Sequence, residues 1–245
     1  MDLNGRAALI TGGARIGQAV AVALARRGAN VAMTYRSSKT SAEEAVKRTK
    51  ALGVRGLAVR ADLTKPADLV GAVKKVVSSF GRLDILVNLA SIYEKTALAS
   101  LDASVWEKNM AANLESAYFL SLQCAPWMKR RGQGRIIHFS DWIAASGRPR
   151  YKAYLPYYVS KAGVIGLTQA LALELAPEIL VNAVAPGPIL PPPDLSAKES
   201  REVKRATPLG RWGGPEEIAK AVIFLIETDF VTGECIRVDG GRHLL

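Results

Sequence analysis

Tyr157 and Lys161 stand four residues apart in Tyr157-Tyr158-Val159-Ser160-Lys161, and the continuation Ala162-Gly163-Val164-Ile165-Gly166 reads as helix. That spacing puts both side chains on one helical face. An ammonium beside a phenol favours the phenolate, which lowers a reference pKa of about 10 toward the range where general acid/base work is efficient. Neighbouring Tyr151, Tyr154 and Tyr158 are followed four residues later by Leu155, Tyr158 and Ala162, so within this segment Tyr157 alone has such a partner. A bare Tyr-x-x-x-Lys is common by chance, and its meaning depends on what the rest of the chain can position beside it.

A second group of residues is suited to phosphate chemistry. The apolar run 7–10 enters Thr11-Gly12-Gly13-Ala14-Arg15-Ile16-Gly17 and then Gln18-Ala19-Val20-Ala21. Glycines at a strand-to-helix turn let backbone approach a pyrophosphate, and free N–H groups with the helix dipole stabilise its charge. The next strand ends in Tyr35-Arg36-Ser37-Ser38. A carboxylate there would accept from a ribose 2′-hydroxyl, whereas a guanidinium pairs with a 2′-phosphate. With Arg36 and two hydroxyls present, and Arg15 able to add to them, the expected cofactor is NADPH/NADP.

These groups need a scaffold, and the alternation of apolar runs with helix-period segments supplies one. Strands are expected at 7–11, 30–35, 56–60, 85–88, 135–140, 180–185 and 235–238. Helices are expected at 16–27, 42–52, 67–80, 104–131, 157–175 and 215–226. This predicts one α/β domain over 1–245, a seven-stranded parallel, doubly wound Rossmann-fold sheet with helices on both faces. The segment 186–200, with Pro186, Pro188, Pro191, Pro192 and Pro193, reads as a loop without regular helix, placed to cover a ligand at the carboxyl edge of the sheet.

The 245 residues are 49% hydrophobic and 22% charged, a balance that excludes disorder and collagen-like or disulfide scaffolds. Cys124 and Cys235 lack any Cys-x-x-Cys context, and with only His138 and His243 beside them no metal site is expected. A reducing cytoplasm fits that usage. No run reaches the roughly 18 uninterrupted apolar residues of a spanning helix, and the first apolar run is too short for a signal peptide, so no membrane partner is expected. The net charge of +11 is densest from Lys129, Arg130 and Arg131 through Arg135 to Arg148, Arg150 and Lys152. Without interleaved aromatics or a DNA-binding motif this predicts a solvated surface or attraction of an anionic substrate or carrier, and no nucleic-acid partner.

Taken in order, the glycine turn, Asp62-Leu63, Asn88-Leu89-Ala90-Ser91, Asn113-Leu114, the Tyr157/Lys161 pair and Pro186-Gly187 resemble the short-chain dehydrogenase/reductase family over essentially the whole chain. The resemblance implies hydride transfer with a nicotinamide cofactor and usually a homotetramer. It makes Tyr157 the proton donor and gives Lys161 the nicotinamide ribose, while Asn113 supports a proton-relay water. It sets Asp62 and Leu63 at the adenine, Asn88 beside the adenosine ribose, and Ala90, Pro186, Gly187 and Ile189 along the cofactor.

Two departures point to a narrower group. The glycine turn is one residue shorter than the family's, with Arg15 and Ile16 before Gly17, and the place of the usual catalytic serine falls on Asp141, next to Ser140. Together with Ser91 followed by the aromatic Tyr93, and the ending Val238-Asp239-Gly240-Gly241, these are similar to pteridine reductases, especially bacterial dihydromonapterin or dihydrofolate reductases. That likeness implies a flat pterin held by Ser91, Tyr93, Asp141 and Trp142. The alternative is a carbonyl reductase of the 3-oxoacyl carrier-protein kind, with the basic patch meeting an acidic carrier. A dinucleotide sensor without turnover would be expected to lack Tyr157 or Lys161, and both are present.

Overall fold

The computed structural model describes residues 1–12, 14–193 and 195–245; Gly13 of the glycine turn and Asp194 of the proline-rich segment lie outside the described residues. Strands β1 (Ala7–Thr11), β2 (Asn30–Tyr35), β3 (Gly56–Arg60), β4 (Ile85–Asn88), β5 (Gly134–Phe139), β6 (Ile179–Pro186) and β7 (Cys235–Val238) form one sheet in the order β3-β2-β1-β4-β5-β6-β7. Every pairing is parallel. The chain builds outward from β1 to β3 and then restarts at β4 on the other side of β1, so the carboxyl ends of β1 and β4 part to open a crevice.

The helices are α1 (Ile16–Ala25), α2 (Lys39–Lys50), α3 (Pro66–Phe80), α4 (Ala103–Met110), α5 (Ser116–Lys129), α6 (Trp142–Ser146), α7 (Leu155–Leu175), α8 (Ala197–Arg205) and α9 (Pro215–Glu227). Successive strand side chains point to opposite faces, and this sorts the core into two layers. Ala8 and Ile10 of β1 pack with Val20 and Leu24 of α1, Ala45 of α2 and Ile218 and Val222 of α9. Leu9 between them packs with Val73 of α3, Leu120 and Met128 of α5 and Leu171 of α7. Each such Leu, Ile or Val contributes about 1.5–3 kcal/mol when fully buried, so neither layer can be lost without losing the sheet. The doubly wound sheet expected from the sequence is the one found.

Several elements differ from expectation. The helix expected over 104–131 is broken by one wide π-type turn, Ala111–Glu115. Such turns re-aim side chains, and this one carries Asn113. A short helix, α6, follows β5, and α8 begins inside the segment expected to be loop. The reason for α8 is local: Ser196 accepts from the Glu199 N–H while Glu199 accepts from the Ser196 N–H, a reciprocal cap that starts a helix just beyond the prolines. Strand β5 ends at Phe139, which leaves Ser140 and Asp141 beyond the sheet edge.

Candidate active site

The carboxyl ends of β4, β5 and β6 and the start of α7 converge on Tyr157. Pro156 occupies the first turn of α7, where its missing N–H is no loss, and Tyr157 and Lys161 follow on one face. Asp141 caps α6: its Oδ1 accepts the Ile143 N–H at 2.8 Å, and its Oδ2 accepts the Tyr157 hydroxyl at 3.0 Å. Ser140 is turned away, its hydroxyl donating to the Lys161 carbonyl at 2.8 Å in the interior. The residue beside the phenol is therefore Asp141.

Lys161 is buried; its Nζ donates to the Phe139 carbonyl at 2.8 Å and lies 5.9 Å from the centre of the Tyr157 ring. Burial pulls its ammonium down to about 8. The lowering of Tyr157 expected from its lysine neighbour is corrected here. Burial, then the charge of Asp141, hold the phenol well above its ordinary value. Lys161 is directed at a backbone carbonyl rather than at the hydroxyl, so the near carboxyl outweighs it. Burial likewise raises Asp141, against the hydrogen bonds from Ile143 and Tyr157. The pair holds a proton between two oxygens in a partly desolvated pocket.

Asn113, aimed by the π-type turn, donates to the Ser160 hydroxyl at 3.0 Å and the Ile92 carbonyl at 3.2 Å, and its Oδ1 accepts from the Ile92 N–H at 2.8 Å. Its side chain thus ties the segment after β4 to α7. Asn88 is buried: its Nδ2 lies 3.2 Å from His138 Nδ1 inside the sheet, and burial takes His138 down to about 3, leaving it neutral.

Two cavities meet these residues. The first, about 340 Å³, is lined by Asp141, Trp142, Tyr157, Pro186, Gly187 and Ile189, with Arg15, Ile16, Tyr93 and Arg242 among the other walls. Its aromatic side is ordered by packing: Tyr93 stacks on Tyr154 with centroids 4.6 Å apart and meets Tyr157 edge-on at 4.8 Å. Arg15 was expected near the β2 end, yet its Nη2 donates to the Pro191 carbonyl at 2.8 Å and it lines this first cavity. Arg15 has φ +50°, and its side chain reaches the proline-rich loop.

The second cavity, about 210 Å³, gathers Gly12, Tyr35, Arg36, Ser37, Asp62, Leu63, Ala90 and Ser91. Ser91, expected at the substrate, is here instead, its hydroxyl donating to Asn113 Oδ1 at 3.1 Å. Asp62 accepts from the Thr64 hydroxyl and N–H, which holds its carboxyl below the usual range. At Gly12, with φ +82°, a Cβ would stand 3.2 Å from the Ala90 backbone, and one on Gly17 would meet the Gly12 carbonyl oxygen at 2.2 Å. A bare-backbone cradle opening toward Arg36 and two hydroxyls fits a dinucleotide with a phosphorylated ribose. Sequence reasoning missed Tyr151, Trp212 and Arg242 at the first cavity and Tyr154 behind its Tyr93 wall; the aromatic density of 151–158 was the available signal for the two tyrosines.

A family model described as Enoyl-(Acyl carrier protein) reductase matches residues 13–243. The chain is 38% identical over 247 residues to the 3-oxoacyl-[acyl-carrier-protein] reductase of Staphylococcus aureus, covering 98% of each. It is 37% identical over 250 residues to the L-rhamnose 1-dehydrogenase (NAD(P)(+)) of a Sphingomonas species, covering 99% of this chain and 98% of the relative. Among solved structures, a short-chain dehydrogenase/reductase from Serratia marcescens superposes with a TM-score of 0.91 at 35% identity, covering 99% of this chain and all of that one.

Proposed function

The chain belongs to the short-chain dehydrogenase/reductase family of NAD(P)-dependent oxidoreductases, and we propose that within it this protein uses NADPH to reduce a flat, conjugated heterocycle of the dihydropterin kind. The observation that carries the substrate class is the Asp141 carboxyl 3.0 Å from the Tyr157 hydroxyl. A carboxylate accepts strongly from ring N–H and amino groups, but it repels the oxyanion that develops when a simple ketone is reduced. The stacked Tyr93 and Tyr154 offer a flat wall to such a ring.

NADPH, when bound, supplies the hydride. Arg36, Ser37 and Ser38 would hold its 2′-phosphate, and the cradle at Gly12 and Gly17 would admit its pyrophosphate. Tyr157 holds a proton on its hydroxyl and gives it to the substrate nitrogen that gains electron density. Asp141 orients that hydroxyl and the ring, Lys161 fixes the Phe139 carbonyl behind them, and Asn113 acts as a positioning residue through Ile92 and Ser160. We include in this reading a cytoplasmic homotetramer, supported by the exposed apolar residues Tyr118, Phe119 and Leu122 on α5 and Leu173 on α7, and by unpaired Cys124 and Cys235.

The names of the curated relatives match the second reading better, reduction of a 3-oxoacyl thioester, and that is the specific ground for retaining it. The two separate in one experiment: NADPH oxidation by wild type and Asp141→Ser with dihydrobiopterin, dihydrofolate and an acetoacetyl thioester. The heterocycle reading expects wild type to prefer a pterin, and expects Asp141→Ser to lose about ten- to 100-fold on it, the value of one charge-assisted hydrogen bond. Preference of wild type for the thioester would overturn it in favour of the second.

A further inference from the structure

The first cavity carries cations in its wall as well as the Asp141 carboxyl. Arg242, in the short 3₁₀ turn Arg242–Leu244, lines the same cavity as Asp141 and Tyr157. Its guanidinium carbon lies 5.8 Å from the centre of the Trp142 ring, and that of Arg150 lies 5.6 Å from the same centre. Two guanidiniums thus converge on one indole in the pocket wall. Arg242 Nη1 is buried and has no hydrogen-bond partner among the described residues.

The chain's nearby carboxylate does not serve it. Asp239 Oδ1 accepts the Gly241 N–H, and Oδ2 accepts the His243 N–H and lies 2.7 Å from His243 Nδ1. Arg15, the other cation of this cavity, is already directed to the Pro191 carbonyl. Buried guanidinium donors are normally partnered, because an N–H removed from water without an acceptor is costly. A ligand that brings the acceptor meets that need, and a planar guanidinium matches a carboxylate or phosphate with paired N–H donors.

We infer that Arg242, with Arg150 beside it on Trp142, is a specificity residue that receives an anionic group on the substrate's tail. This rests on the proposed reading only in taking the first cavity as the substrate pocket. Asp141 adds the opposite sign of charge to the same cavity, so an anionic group is drawn to Arg242 and away from the Asp141 carboxyl. A substrate with one polar ring and one anionic tail is thereby oriented by charge before chemistry.

Two matched pairs test this: dihydrofolate against dihydrobiopterin, and acetoacetyl-coenzyme A against acetoacetyl-N-acetylcysteamine, each pair differing in the anionic tail. In the pair the enzyme accepts, wild type is expected to favour the anionic member in kcat/KM. Arg242→Gln is expected to raise the KM of that member about tenfold or more and collapse the preference, with Arg242→Lys retaining part of it. An effect confined to dihydrofolate assigns the group as carboxylate; one confined to the coenzyme A thioester assigns it as phosphate. Calorimetric titration of the same four compounds into the NADP-loaded protein makes the same comparison without turnover. Thioesters accepted and pterins refused would end the heterocycle reading yet leave the anion comparison intact. The inference is overturned by an anionic-to-neutral preference that is the same in wild type and Arg242→Gln, or by failure of all four to bind.

Discussion

The proposed preference for NADPH rests on Arg36. It stands exposed at the end of β2, its charge helps hold the Asp62 carboxyl low, and the strand end carries no carboxylate. Arg36→Ala removes one or two charge-assisted bonds to a 2′-phosphate, each about 1.5–3 kcal/mol, and is expected to weaken NADPH at least tenfold while NADH changes far less. Fluorescence titration of both cofactors checks this, and equal losses would refute it. At this scale the residue types in the pocket were legible: spacing pairs Tyr157 with Lys161, the resemblance adds Asp141, and the fold brings all three together. What spacing could not carry was direction. Burial and Asp141 reverse the expected lowering of the Tyr157 phenol, and Arg15 donates to the Pro191 carbonyl instead of joining Arg36. Arg242 lies 85 residues from Tyr157 in sequence, just past the ending Val238-Asp239-Gly240-Gly241, and only the fold brings it to the pocket.

At the scale of elements, two glycines give opposite forecasts. A Cβ on Gly187, just beyond β6, would stand 2.4 Å from Asp239 Cβ and 2.6 Å from its Cα, whereas one on Gly71 within α3 meets nothing within 4 Å. Overpacking of this kind costs about 1–3 kcal/mol, so Gly187→Ala is expected to lower the melting temperature by about 2–12 °C. Gly71→Ala relieves a helix-interior glycine and is expected to raise it by about 1–4 °C. Scanning calorimetry of both decides, and the same sign for both would contradict the packing described. Strands were the most legible elements because parallel strands buried on both faces are short continuous apolar runs bounded by turn residues. Helices were less so. Nothing in the periodicity of 104–131 marks the wide turn at Ala111–Glu115, which answers to contacts of Asn113 with Ile92 and Ser160. The cap of α8 was written in Ser196-x-x-Glu199 but masked by five preceding prolines.

In the whole molecule the sheet divides the work. The ends of β1, β2 and β3 present the glycine cradle, Arg36 and Asp62, and the ends of β4, β5 and β6 with α7 present Asp141, Tyr157 and the aromatic wall. The basic stretch conspicuous in the sequence does not survive as one surface: Arg135 is 2% exposed and spent on the carbonyls of Ile226 and Thr228 and on Asp229, while Arg130 lies over Trp127. No helix among the described residues is long and apolar enough to cross a membrane. Such a division makes binding and chemistry separable, and Tyr157→Phe separates them most directly because it keeps the ring and removes only the proton-bearing oxygen. Paired measurement of NADPH affinity and steady-state turnover in this variant is the central test. The account predicts a dissociation constant within about threefold of wild type and turnover reduced about 10²-fold or more. Near-normal turnover, or loss of NADPH binding in step with activity, would contradict it.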